Sequence, residues 1–162
     1  MAPRNAIAVI GAGDASKEVC AQAHSVGFVV ARRGAVLVCG GRGGVMEAAA
    51  RGARSAGGHT IGILPSYDRA SANPHIEFAI ATGMNHARNA IVVASADAVI
   101  AMPGEAGTLS EIGLALKIGR PVVALGGWHQ IDGVHHATDP ETAVKLALQL
   151  AGIALPRENR DD

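Results

Sequence analysis

The sequence predicts one α/β domain, built on a doubly wound parallel sheet flanked by helices. Three features of the 162-residue chain point to it. Short, wholly apolar segments alternate with segments of helical periodicity. The apolar segments are rich in Val, Ile and Ala, which suits strands covered on both faces. The glycine-rich stretches 11–13, 40–44 and 103–107 each directly follow one of these segments, at the carboxyl ends where open α/β sheets bind ligands.

Ala6-Ile-Ala-Val-Ile10 reads as a buried strand running into Gly11-Ala-Gly13. Ser16 to Arg33 carries Val19, Ala23, Val26 and Val30 at helical spacing, and Gly34 stops that helix. Ala35-Val-Leu-Val-Cys39 is the second strand and ends in Gly40-Gly-Arg-Gly-Gly44. A helix from Val45 to Ala56 closes on Gly57-Gly58, and Thr60-Ile-Gly-Ile-Leu64 is a third strand ended by Pro65. Residues 66–75 are polar and loop-like, and Ile76 to Ala81 is a short fourth strand before a helix from Met84 to Ser95. Ala98-Val-Ile-Ala-Met102 is the next strand and leads into Pro103-Gly-Glu-Ala-Gly107. A helix from Leu109 to Ile118 ends at Gly119, and Pro121-Val-Val-Ala-Leu125 follows as a strand. Asp139 then caps a last helix with Pro140 at its first position. Right-handed crossovers complete a Rossmann-like domain over residues 1–155. Pro156 to Asp162 is expected to be a disordered charged tail.

Hydrophobic residues make up 49% of the chain but include only two Phe, one Trp and one Tyr, so the core must be aliphatic. Fourteen Lys and Arg balance fourteen Asp and Glu, which leaves no basic field for nucleic acid or an anionic membrane. No apolar run reaches transmembrane length, and Met1 to Asn5 lacks a signal-peptide layout. A cytoplasmic setting is expected. Cys20 and Cys39 fall in different elements and read as small apolar residues, with a disulfide or thiol role the lesser reading.

Two loops suit an anionic ligand. In the first, Gly40, Gly41, Gly43 and Gly44 let the backbone approach closely. Val45 and Met46 open a helix whose free N–H groups and dipole favour negative charge. Arg42 offers a fork for phosphate or carboxylate. The alternative is a tight strand-to-helix turn that binds nothing. In the second, Pro103, Gly104, Glu105, Ala106, Gly107 and Thr108 precede another helix. Thr108-x-x-Glu111 is also the pattern of a capping box, in which Glu111 would bond back to the cap residue. Arg88 lies on the helix after Met84 and reads either as a solvated surface residue or as aimed at the cleft.

Other chemistries fail on inspection. Gly11-Ala-Gly13-Asp-Ala-Ser16 lacks the third glycine of the dinucleotide fingerprint, and no acidic residue ends the second strand. There is no Gly-Lys-Ser/Thr and no serine in a nucleophile elbow. The seven histidines show no metal-ligand spacing, and His135 and His136 are placed in a polar loop, so no metal site is expected.

Gly40-Gly-Arg-Gly-Gly-Val-Met-Glu-Ala-Ala49, Met84-Asn-His-Ala-Arg-Asn89 and Pro103-Gly-Glu-Ala-Gly-Thr-Leu-Ser-Glu111 together resemble the LOG-like (Lonely Guy) superfamily. The likeness runs from Ala6 to Ala151 and is nearer to its short bacterial and archaeal branch, related to molybdenum-cofactor carrier proteins. The superfamily is often called lysine decarboxylase. A pyridoxal enzyme needs a Schiff-base lysine, however, and Lys17, Lys117 and Lys145 all lie within predicted helices.

The resemblance implies a nucleoside 5′-monophosphate phosphoribohydrolase, which releases free base and ribose 5-phosphate. Arg88 and Glu111 would be catalytic. Gly11, Gly13, the two glycine loops, Met84 and Asn89 would hold the ligand. The alternative is a non-catalytic carrier of the molybdenum cofactor, or a nucleotide sensor. No cofactor is required, and an AMP-like nucleotide or the molybdenum cofactor is the expected ligand. A homodimer or homotetramer is expected, because the family places helices around the glutamate motif at a subunit interface. Against the hydrolase pattern, this chain has Glu105 for a glycine, Ser110 for a glutamate and Asn89 for a lysine.

Overall fold

The computed structural model describes residues 4–154. The elements in chain order are β1 (Ala6–Ile10), α1 (Lys17–Arg32), β2 (Val36–Cys39), α2 (Val45–Ser55), β3 (Thr60–Leu64), β4 (Phe78–Ala81), α3 (Arg88–Ala94), β5 (Ala98–Ala101), α4 (Ala106–Lys117), β6 (Val122–Leu125), β7 (Val134–Ala137) and α5 (Pro140–Leu150). Short 3-10 turns occur at Arg69–Ser71 and Asn85–Ala87. The seven strands form one sheet in the order β4-β3-β2-β1-β5-β6-β7, and every pairing is parallel. The chain winds outward from β1 to β4, returns through α3 to β5, and winds out the other way. The switch point therefore lies between β1 and β5.

Period-two alternation sorts each strand's side chains between two apolar layers. Ile7, Val9, Leu37, Cys39 and Ile100 point to the layer covered by α1, α2 and α5. Ala8, Ile10, Val38, Val99 and Ala101 point to the layer under α3 and α4, where Val92, Val93, Ile112 and Ala115 meet them. Ser16 caps α1 by accepting from the Val19 N–H at 3.2 Å. Asp139 caps α5 by accepting from the Thr142 N–H at 2.9 Å, with Pro140 at the first helical position.

The crossing of α1 and α2 rests on glycine. A Cβ on Gly27 would lie 2.7 Å from the Ala49 carbonyl carbon, and one on Gly52 would lie 2.8 Å from that of His24. The two backbones touch there, and no side chain fits between them.

Three expectations require correction. His135 and His136 lie in the edge strand β7, where the exposed outer position of the strand tolerates their polar rings. Helix α4 begins at Ala106, three residues before the expected Leu109, because Glu105 adopts the extended N-cap conformation and its carbonyl accepts from the Leu109 N–H at 3.0 Å. Thr108 is consequently the third helical residue, and the capping box does not form. The expected helix from Met84 is a 3-10 turn followed by α3, entered through Asn85 with φ 48°, a left-handed conformation that Asn tolerates. The charged tail assigned to 156–162 lies outside the described residues. Among the described residues no helix is long and apolar enough to cross a membrane.

Candidate functional site

The loops after β1, β2 and β5 meet over the switch point and enclose a cleft of about 270 Å³. Main-chain hydrogen bonds hold them together. The Ala12 N–H donates to the Pro103 carbonyl at 3.0 Å, the Val45 N–H donates to the Ala12 carbonyl at 3.0 Å, and the Met102 N–H donates to the Ile10 carbonyl at 2.8 Å.

Several motif glycines serve this packing. A Cβ on Gly11 would lie 2.8 Å from the Val45 methyls, and one on Gly44, which also has φ 63°, would lie 2.6 Å from the Gly13 carbonyl. Gly41, at φ 73°, would drive a Cβ to 2.8 Å from a Leu64 methyl. Gly40 makes room for an arginine, since its Cβ would lie 2.8 Å from the Arg88 Cζ. Gly107 differs. It sits in the first turn of α4, and a Cβ there would meet nothing within 4 Å. Packing does not demand a glycine at that position, and Gly107 lines the cleft.

Arg88 and Glu111 form the floor. Their side chains are 12% and 9% exposed, and Nη1 stands 3.7 Å from Oε1. That is a loose ion pair, and Glu111 has no hydrogen bond among the described residues. Burial pushes the Glu111 carboxyl up to about 7, against the downward pull of Arg88. Burial also lowers the Arg88 guanidinium, opposed by Glu111 and Cys39, and the nearby Arg42 charge lowers it further. Beneath them burial pushes the Cys39 thiol up to about 11; its Sγ accepts from the Gly41 N–H at 3.3 Å. A thiol held protonated in this way is a packing group, not a nucleophile.

A run of hydrogen bonds fixes Arg88 from the side. Its Nη1 donates to Asn89 Oδ1 at 3.1 Å, Asn89 Nδ2 donates to Ser110 Oγ at 2.8 Å, and Ser110 Oγ donates to the Gly107 carbonyl at 2.8 Å. Arg88 Nε is buried without a partner.

Of the residues expected from sequence, Gly11, Gly13, Gly40, Met46, Arg88, Asn89, Glu105, Gly107, Thr108 and Glu111 line the cleft. Gly41, Arg42, Gly43, Gly44, Val45, Met84, Pro103, Gly104 and Ala106 do not. Arg42 is exposed, and its carbonyl accepts from Asn73 Nδ2 at 2.8 Å. Asp14 and His86 also line the cleft and were not singled out. Their signal was adjacency: each stands within a motif already chosen for its neighbours.

The chain resembles other proteins along most of its length. An uncharacterized protein of Archaeoglobus fulgidus is 45% identical over 142 residues, covering 88% of this chain and 93% of its own. The structure of the molybdenum cofactor binding protein from Rippkaea orientalis superposes with a TM-score of 0.85 at 38% identity, covering 91% of this chain and 98% of its own. A cytokinin riboside 5′-monophosphate phosphoribohydrolase of Mycobacterium tuberculosis is 34% identical over 126 residues, covering 72% of this chain and 67% of its own. The model of the SLOG cluster4 family matches residues 4–151, and the chain belongs to that family.

Proposed function

We propose that the protein is a carrier: its cleft binds a phosphorylated pterin of the molybdenum-cofactor type and leaves it intact. The observation that carries this reading is the run from Arg88 through Asn89 and Ser110 to Gly107. It uses two of the residues that depart from the hydrolase pattern, and it fixes Arg88 in the floor of the site. The likeness to the Rippkaea orientalis protein, at nearly full length on both sides, supports the same choice.

Ligand recognition follows from the charges. Arg88, with Arg42 close enough to depress its basicity, supplies positive potential for a phosphate. Met46, at the second position of α2, adds a main-chain N–H without an intrahelical partner. The bare side of Gly107 leaves space for a flat ring system.

The test is incubation with AMP, with chromatography for free base, beside calorimetric titration of neopterin monophosphate. Saturable pterin binding without base release is expected. Base release that disappears in Glu111→Ala would overturn the carrier reading and make the protein a phosphoribohydrolase. One observation favours that second reading. A carboxyl raised to about 7 is suited to proton transfer near neutral pH, and Glu111 has no other hydrogen-bonding task.

A homo-oligomer belongs to the same proposal. Leu114 on α4 and Ile118 at its C-cap lie one turn apart and are 36% and 50% exposed; Leu109 is 44% exposed on the same helix, and Gly113 beside it has nothing within 4 Å of its Cβ position. Such a surface suits close approach by a second copy. Light scattering at micromolar concentration should give at least a dimer, and Ile118→Glu should shift it to the monomer. A wild-type monomer would count against the assembly.

A further inference from the structure

Glu105 is a carboxylate with no task inside the protein. It occupies the N-cap of α4, yet its side chain makes no capping bond, and it has neither a hydrogen bond nor an ion pair among the described residues. It is exposed and lines the cleft. The start of a helix is where an anionic ligand would otherwise settle, and a carboxylate there repels one. The cleft is nonetheless built for a ligand. Glu111, a residue only 7% exposed, lines it, and its carboxyl has no hydrogen-bond partner among the described residues.

The two walls of the cleft are electrostatically unlike. Helix α2 follows β2 and α4 follows β5, and β1 lies between those strands. The helix starts are thus separated by two strand spacings, about 10 Å. The Arg88 guanidinium, in the floor beside Glu111, reaches to Gly40 at the end of β2, while Glu105 stands on the rim at the β5 side. A ligand with a phosphate at one end and a pair of N–H donors at the other matches that polarity.

We infer that Glu105 selects the ligand's heterocycle by accepting hydrogen bonds from a cyclic N–H and an adjacent exocyclic amino group. This is the 2-amino-4-oxo edge shared by guanine and pterin. The inference rests on the proposed binding of a phosphorylated heterocycle and adds which heterocycle is chosen. A carboxylate accepts two parallel bonds from that edge in a bidentate arrangement. Adenine presents a ring acceptor at the corresponding position, so Glu105 would face it acceptor to acceptor. Hypoxanthine keeps the ring N–H and loses the amino group.

The experiment is calorimetric titration of the full chain with GMP, IMP, AMP and neopterin monophosphate. GMP is expected to bind at least about tenfold tighter than AMP, with IMP between them. In Glu105→Gln the GMP preference should fall to within about threefold. Asp14→Asn, at the other exposed carboxylate of the cleft, should keep it. Neopterin monophosphate binding tighter than GMP identifies the pterin as the source of the edge; weaker binding identifies the guanine nucleotide. Equal affinity for GMP and AMP, or a preference that survives Glu105→Gln or vanishes in Asp14→Asn, overturns the assignment to Glu105 while leaving ligand binding intact. Failure of all four compounds to bind would sink the carrier reading itself.

Discussion

Gly27→Ala is expected to destabilise the fold by about 2–3 kcal/mol, and Gly52→Ala by a similar amount. In most helices this exchange stabilises by roughly 1 kcal/mol, because alanine loses less backbone entropy on folding. Here the added methyl would stand 2.7 Å from the Ala49 carbonyl carbon, and on Gly52 it would lie 2.8 Å from that of His24. Neither obstacle is a side chain that can turn aside. Relief requires α1 and α2 to move apart, which opens the layer formed by Ala23, Val26, Ala49 and Ala53. Urea denaturation should show the midpoint falling with an unchanged slope. A midpoint equal to or above that of the parent would mean the helices are not in backbone contact.

Glu111→Gln should stabilise the protein at pH 8 by up to about 3 kcal/mol and leave it nearly unchanged near pH 4. The folded-state carboxyl titrates near 7, well above its ordinary value of 4.5. Between those values the folded protein holds more protons at this position than the unfolded chain does. Stability from this group therefore declines as pH rises from about 4.5 to 7, and the penalty stays constant above that window. An amide is neutral throughout and escapes the penalty. Thermal melts of parent and variant across pH 4 to 9 would show the gap widening with pH. A gap independent of pH would mean that Glu111 titrates normally. Such a penalty is typical of a group retained for its chemistry at a site.

The sheet was legible because its signals are local. Purely apolar runs such as Ala98-Val-Ile-Ala101 and the caps at Ser16 and Asp139 act over a few residues, and the elements they mark, β5, α1 and α5, begin within a residue of their expected starts. Strand β7 was not legible, since Val134-His-His-Ala137 is half polar and owes its extension to pairing with β6. The start of α4 was misplaced for a related reason. Thr108 and Glu111 have the spacing of a capping box, but the burial that turns Glu111 inward toward Arg88 is a tertiary fact. Gly27 and Gly52 stood unremarked inside helical periodicity, because their need lies on the opposing helix. Within the glycine loops the sequence could not separate positions that serve packing, such as Gly41 and Gly44, from Gly107, which has open space beside it.

The bond from the Ala12 N–H to the Pro103 carbonyl has a consequence for how cargo would leave. It staples two rims of the mouth through main-chain atoms, and the Val45 N–H adds a third rim through the Ala12 carbonyl. A receptacle assembled in this way is already shaped before anything arrives, so capture wastes little ordering free energy and residence time is set by how firmly the contents are gripped. Unloading would then depend on an acceptor that competes for whatever part of the molecule still protrudes, since the stapled rims do not swing aside like a hinged gate.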